Sequence, residues 1–143
     1  MAVSELTVGD LLAALAERTP APASGAATAL TGALAAALVE LAARFARDDS
    51  VAGRAQALAA RLTQLADADA EAYAEFVKTR SDEARRRTID VPLEIAGSAD
   101  EVERLAGQVR AQLTSTVTGD AEAAEELARA AARVARRLAE LNA

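Results

Sequence analysis

Few residue types in this chain can move a proton. Its 143 residues include no histidine and no cysteine. Thiol nucleophiles, disulfides, zinc sites of the usual kind and every Ser/His or Cys/His triad are therefore excluded. Acid–base work falls to Asp, Glu, Lys, Tyr or bound water. The stretch DADAEAY, Asp67 to Tyr73, concentrates such groups. At helical spacing Asp67 and Glu71 share one face while Asp69 and Tyr73 share another. Asp67 and Glu71 read as a solvated acidic face. Asp69 differs because it continues the apolar series Val51, Ala55, Leu58, Leu62 and Leu65. A carboxyl group on an inward face is costly unless partnered, and its pKa is open to tuning.

Three other features carry polar chemistry. In TPAPASGAATAL, Thr19 to Leu30, Pro20 and Pro22 stop one helix and Ser24-Gly25 opens the next. Free N–H groups and the positive end of a helix suit an anion there, and the same residues also make an ordinary helix start. Asp120 in TGDA reads most simply as an N-cap. Arg85 to Arg87 read as part of a solvated loop, and they are also the one concentrated positive patch in a chain of net charge −6. That charge argues against a general nucleic-acid or anionic-membrane binder, which needs a positive field.

The elements that must position these residues are helices. Apolar residues make up 52% of the chain but aromatics only 2%, so alanine and leucine supply the core. Alanine favours helix, and no stretch alternates as a half-buried strand does. The expected fold is all-α: one domain over residues 1–143, a bundle of about five helices with a central alanine-rich helix. The first begins after Thr7 as N-cap, presents Val8, Leu11, Leu12 and Leu15, and ends before Pro20. The second spans about Gly25 to Arg47. It carries a small-residue stripe (Gly25, Ala29, Gly32, Ala36) that fits a helix of this chain or of a second copy, and a separate face of Leu30, Leu34, Leu38 and Leu41. Ser50 or Asp49 caps the third, about Val51 to Arg80. KTRSDEARRRTID reads as a surface connection, with Asp90 and Pro92 opening the fourth helix. After the break TSTVTGD, Asp120 or Thr118 caps the fifth, whose face is Leu127, Ala130, Val134, Leu138 and Leu141. The N-terminus lacks a signal-peptide pattern and the apolar run Ala26 to Val39 is short for a bilayer span, so a cytoplasmic protein off the membrane is expected.

Taken in order, TPAPASGAATALTGALAAALVELAA, LADADAEAYAEFV, DVPLEIA and TGDAEAAEELARAAARVARRLAELN resemble the cyclodeaminase/cyclohydrolase family. That family comprises the cyclodeaminase part of formiminotransferase-cyclodeaminase and related methenyltetrahydrofolate cyclohydrolases. Its pattern is a Pro-x-Pro followed by three glycines and a serine, a later Asp-Ala-x-Ala-Phe/Tyr helix, a Val-Pro-Leu helix start and a Ser-Asp-Ala helix start. The resemblance implies a dimeric helical bundle and a folate-binding cleft. It implies conversion of a formimino- or methenyl-tetrahydrofolate as substrate, with no tightly bound cofactor or metal. Carried over, Pro20, Pro22 and Gly25 match the glycine-rich turn, Asp69 and Tyr73 the Asp…Phe/Tyr pair, Pro92 the Val-Pro-Leu start, and Asp120 the Ser-Asp-Ala start. Asp69 is then the proton carrier, Asp120 orients water or the pterin, and Pro22, Ser24, Gly25 and Tyr73 meet the ligand. Ala23 and Ser24 replace two family glycines. The family's Thr-Gly-Lys stretch after the second helix is absent from ARFARDDSVAG, and Lys78 is the only lysine.

Two functions are compatible with these residues. One is an enzyme of one-carbon folate chemistry, cyclohydrolase or cyclodeaminase, working through carboxylates. The other is a dimer of the same fold without turnover, binding a folate-like or other anionic ligand or a protein partner.

Overall fold

The computed structural model describes residues 2–114 and 116–143. Among them there is no strand, and the all-α expectation holds. A short 3-10 turn (Val3–Glu5) leads into α1 (Val8–Ala16), α2 (Ser24–Phe45), α3 (Asp49–Thr79), α4 (Asp82–Gln112) and α5 (Thr118–Asn142). Helices α2 to α5 pack side by side in alternating directions, with α2 in contact with all three others. Asp48 and Gln112 meet at one end of the bundle, and Gly25 meets Asp69 at the other. The later turns of α3 and the first turns of α4 run on past this second end as a projecting helical hairpin.

Small residues face inward and large ones outward on two of the helices. The buried face of α2 is Gly25, Ala26, Ala29, Gly32, Ala35, Ala36 and Val39. A Cβ on Gly32 would lie 3.2 Å from Leu62 Cδ1, so the stripe seats α3 of the same chain. Of the two partners open to that stripe from sequence, the neighbouring helix is the one found. The buried residues of α5 are all alanine: Ala121, Ala124, Ala128, Ala131, Ala132, Ala135 and Ala139. The expected face of α5 is thereby corrected, since Leu127, Val134 and Leu141 point to solvent. Bulk comes instead from α3 and α4, through Leu58, Leu62, Leu65, Ile95, Val102, Leu105 and Val109. Alanine faces let these helices approach closely, and the larger side chains opposite fill the space between them. Ion pairs on the outside join α3 to α4 (Arg54–Glu101, Arg61–Glu94) and α4 to α5 (Arg110–Glu125, Arg129–Glu103, Arg136–Asp100). Solvent-exposed pairs of this kind add little each. Helix α2 is long and apolar enough to cross a membrane by composition, with mean hydropathy 1.7, yet 56% of that stretch is buried within the bundle.

Helix ends follow side-chain caps, with three departures from expectation. Thr7 caps α1 by accepting from the Asp10 N–H at 3.1 Å, as its sequence position implies. Asp48, rather than Asp49 or Ser50, caps α3 by accepting from the Val51 N–H. The chain already reverses at Arg47, whose φ is +56°, so the helix starts earlier. Ser81 caps α4, accepting from the Ala84 N–H, with Asp82 and Glu83 in the favourable first turn. KTRSDEARRRTID is therefore helix over most of its length, and Pro92 lies inside α4, not at its start. Neither Asp120 nor Thr118 caps α5. Val117 holds that position without a side-chain bond, and Asp120 sits in the first turn. Ser115, within the expected break, lies outside the described residues. Helix α1 buries none of Val8, Leu11, Leu12 and Leu15, and Val8 and Leu12 are 75% and 62% exposed.

Close packing of α2 on α3 makes Gly32 a sensitive position. Gly32→Leu overfills the contact with Leu62 and is expected to lower stability by about 2 kcal/mol or more. Urea unfolding followed by circular dichroism measures it. An unchanged midpoint would contradict this packing.

Candidate active site

At the end of the bundle where α3 and α4 run on, the shorter α2 and α5 leave a cleft of about 320 Å³. The turn before α2 supplies Thr19, Pro20, Ala21 and Ala23, and α2 supplies Ser24 and Gly25. Asp69 and Tyr73 come from α3, Thr88 from α4, and Leu138, Leu141 and Asn142 from α5. Such a volume is at the lower end for small-molecule sites and suits a compact ring system whose remainder lies outside.

Asp69 occupies the cleft wall against Gly25. A Cβ at position 25 would run into the Asp69 carboxylate, so this position admits only glycine while the carboxylate stays where it is. Among the described residues no side chain or backbone N–H donates to that carboxylate, and burial without compensation raises its pKa from 3.8 to about 6. An acid with this pKa is near half-ionised at mildly acidic pH and is suited to both taking and giving a proton. Tyr73, one turn further along α3, is 39% exposed and brings its ring and phenol to the same cleft.

The turn before α2 needs no glycine at its first two positions. Among the described residues positive φ occurs only at Arg47 and Arg80, so Ala23 and Ser24 are accommodated without backbone strain. Ala23 offers no side-chain cap, and Ser24 is the first helical residue. Both are exposed and line the cleft. The glycine retained at 25 is the one that touches Asp69.

Pro92 shapes the opposite wall. A proline within a helix has no N–H for the carbonyl four residues earlier, which here is that of Thr88. Asn142 replaces the lost donor, its Nδ2 donating to the Thr88 carbonyl oxygen at 2.8 Å. The Thr88 hydroxyl donates to the Arg85 carbonyl at 2.7 Å. The end of α5 is thus fastened to α4 where both border the cleft.

Of the residues singled out in the sequence, Asp69, Tyr73, Ser24 and Gly25 come together. Pro22 follows a cis peptide bond and faces the other side of the turn, beside Val3, Asp67 and Ala70. Asp67 accepts from both the N–H (3.0 Å) and the hydroxyl (2.6 Å) of Ser4, which ties the N-terminal segment to α3. Asp120 is not in the cleft. It lies twenty-one residues before Leu141 on α5, so roughly 30 Å away along the helix. The turn after α2, where the family's lysine stretch belongs, is at that same far end. Thr88, Leu138, Leu141 and Asn142 were missed from sequence. Pro92 was the available signal, since it implied an orphan carbonyl at 88, but the donor is fifty-four residues away. No group of three or more His, Cys, Asp or Glu side chains is arranged to hold a metal among the described residues.

The formiminotransferase-cyclodeaminase family model matches residues 7–143. The chain therefore belongs to that family, one of folate one-carbon metabolism. A search of curated proteins found no match to it.

Uncompensated burial of Asp69 has a measurable effect on folding. Because its folded pKa lies above the unfolded value, the protein suffers no penalty below about pH 4, where both states hold the proton. The penalty grows as pH rises and is complete above about pH 6. Full conversion of the displacement would be roughly 3 kcal/mol, and solvent in the cleft reduces it to about 1 kcal/mol. Asp69→Asn should therefore raise the melting temperature at pH 7.5 and leave it unchanged at pH 4. An equal shift at both pH values would refute the assignment.

Proposed function

We propose that this protein is an enzyme acting on a methenyl- or formimino-tetrahydrofolate, with Asp69 as the acid–base group. The observation that carries the reading is a half-buried carboxyl group of pKa about 6 beside Tyr73 and the α2 turn, in a chain of the formiminotransferase-cyclodeaminase family. Without histidine or cysteine, a raised carboxyl is the group in this cleft best matched to proton transfer near neutral pH.

For a methenyl substrate, water adds to the methenyl carbon and its proton passes to the Asp69 carboxylate. The C–N bond of the resulting adduct then breaks, the Asp69 acid returns the proton to the leaving nitrogen, and the hydroxyl proton of the adduct passes to solvent as the formyl C=O forms. For a formimino substrate, the amine nitrogen that links the ring to its side chain attacks the amidine carbon, and its proton passes to the imino nitrogen. The Asp69 acid then protonates the departing nitrogen, which leaves as ammonia. In either case the walls formed by Ala23, Leu138 and Leu141 limit water and hold the flat ring, while Ser24, Tyr73 and Asn142 offer hydrogen bonds to its polar edge.

The family also motivates a homodimer, and the exposed apolar face formed by α1 and α2 supports one. Leu30, Leu34 and Ala37 on α2, Val8 and Leu11 on α1, and Ala59 and Ala60 on α3 border an apolar groove of about 660 Å³. Leu34, Leu41 and Phe45 stand outward along the same helix, a patch of the kind that self-association covers. The small-residue stripe has no part in this surface, since α3 occupies it.

Catalysis is read from the decay of methenyltetrahydrofolate absorbance in the near ultraviolet, corrected for the uncatalysed reaction. The protein should accelerate it, with kcat/KM rising through an apparent pKa near 6 as Asp69 ionises. Asp69→Asn should lose about 100-fold or more. Asp120→Asn should keep its rate if the cleft of one chain suffices. No rate above the control, for this substrate or for ammonia release from formiminotetrahydrofolate, would overturn the reading.

Assembly is tested independently by sedimentation. The wild type should run as two chains and Leu34→Glu/Phe45→Glu as one, with helical content retained. A monomeric wild type would contradict the dimer.

A further inference from the structure

The turn that walls the cleft has a rear side, and the N-terminal segment backs it. Thr19, Pro20, Ala21 and Ala23 line the cleft. Ala21 and Pro22 also line a groove on the other side, together with Val3, Asp67 and Ala70. Ala21 borders both, so at this point the wall is a single residue. The turn does little to hold itself in place. Pro20 and Pro22 have no N–H to donate. The Thr19 N–H donates to the Glu17 carbonyl at 2.9 Å, and the Thr19 hydroxyl to the Ala21 carbonyl at 3.4 Å. Among the described residues no hydrogen bond ties residues 19–22 to α2, α3, α4 or α5.

The segment behind it is fastened where the turn is not. The Ser4 N–H donates to Asp67 Oδ1 at 3.0 Å and the Ser4 hydroxyl to Asp67 Oδ2 at 2.6 Å, so both carboxylate oxygens are engaged. Hydrogen bonds to an ionised acceptor are the stronger kind. The neighbouring Val3 is buried and belongs to the main core cluster. Val3 thus stands behind Pro22 as a wedge, and Ser4 holds it at that depth. Asp67 lies two residues before Asp69 on α3, and residues two apart on a helix do not share a face. Asp69 enters the cleft, while Asp67 holds the segment that backs the turn from the other side. The sequence pattern assigned Asp67 to a solvated acidic face, and the proton chemistry gives it no part.

We infer that the N-terminal segment is a backstop that positions the cleft turn, with Ser4 and Asp67 as its positioning residues. With the clamp intact, Val3 keeps Ala21 and Pro22 from moving back, and the wall holds a ligand against Asp69. Gly25 and α3 place Asp69 without the clamp. The clamp therefore acts on how the ligand is held and takes no part in proton transfer. Its hold on the turn stands on the geometry alone, and its effect on turnover rests on the proposed folate chemistry.

Limited trypsin digestion of the folded chain reads the turn without any ligand. Cleavage after Arg18 requires this turn to open, and cleavage after Arg80 requires the turn between α3 and α4 to open. Ser4→Ala loses the hydroxyl bond and Asp67→Ala loses both bonds. Each should speed cleavage after Arg18 about tenfold or more and leave cleavage after Arg80 unchanged, whereas a general loss of stability speeds both. Ser4→Thr keeps both donors and should be cut at the wild-type rate. Equal Arg18 rates in the wild type and Asp67→Ala, or equal acceleration at the two sites, would overturn the backstop while leaving the folate reading standing. With methenyltetrahydrofolate, Ser4→Ala should raise KM about fivefold and keep both kcat and the apparent pKa near 6. An unchanged KM beside a loosened turn would overturn the clamp's role in the site. A chain that gives the cleavage pattern but turns over no folate would overturn the folate reading and leave the backstop standing.

Discussion

The closeness of α2 to α3 is the constraint on which the rest of the molecule depends. Gly32 brings the two backbones together over Leu62, and Gly25 repeats the approach two turns earlier, where the opposing group is the Asp69 carboxylate. The same geometric demand thus builds the core at one level and the cleft at another. Along α3 the inward series runs Leu58, Leu62, Leu65 and then Asp69, so the carboxyl stands where packing would place another leucine. It is spared full burial because α2 begins at this level and the bundle opens. A carboxyl in the middle of α3 would be too costly to ionise, and one in its last turns would have an ordinary pKa.

Alanine makes such an arrangement possible in a short chain. On α2 and α5 the buried side chains are almost all alanine or glycine, while Leu34, Leu41, Leu127 and Leu141 are exposed. Local helix preference is high throughout, but each buried alanine removes little apolar surface from water, and the transfer term per residue is small. The balance is met by α3 and α4, whose leucines, valines and isoleucine fill the central space. It is also met by fastening points that do not depend on bulk. The Asn142 bond to the Thr88 carbonyl is one of these. By closing the gap that Pro92 opens, it fixes the end of α5 against α4. At that point the end of α5 is joined to α4 by this amide and by the bond from Arg85 Nε to the Asn142 carbonyl oxygen.

How far these features were legible in the sequence depended on the range of the interaction. Thr7 as a cap, the stop at Pro20, the span of α2 and the anomalous position of Asp69 are decided within a few residues, and each could be read. The start of α4 is equally local, but Pro92 drew the helix start towards itself and Ser81-Asp82-Glu83 was passed over. Faces were harder. In α5 the leucines and the alanines both recur at helical spacing, and a rule that sends the larger apolar residue inward selects the wrong set. The close approach of both α4 and α2 to α5 decides for alanine. Asp69 and Asp120 stand at opposite ends of one chain for a related reason. Each was singled out from a short stretch of sequence, but such a stretch carries no direction, and α5 runs so that Asp120 lies away from the end where Asp69 lies.

The altered turn before α2 follows from the same reasoning. Three consecutive glycines suggest a backbone that must be bare along its whole length, yet the positions differ in what opposes them. At 25 the opposing group is the Asp69 carboxylate of the same chain, and glycine is kept. At 23 and 24 the φ angles are negative and the residues face open cleft, so a methyl and a hydroxymethyl are accommodated by the fold. What they alter is the cleft wall. Ala23 adds apolar surface and Ser24 adds a hydroxyl at the opening. Substitution has thus changed the lining of the cleft while the contact that places its carboxyl group is preserved.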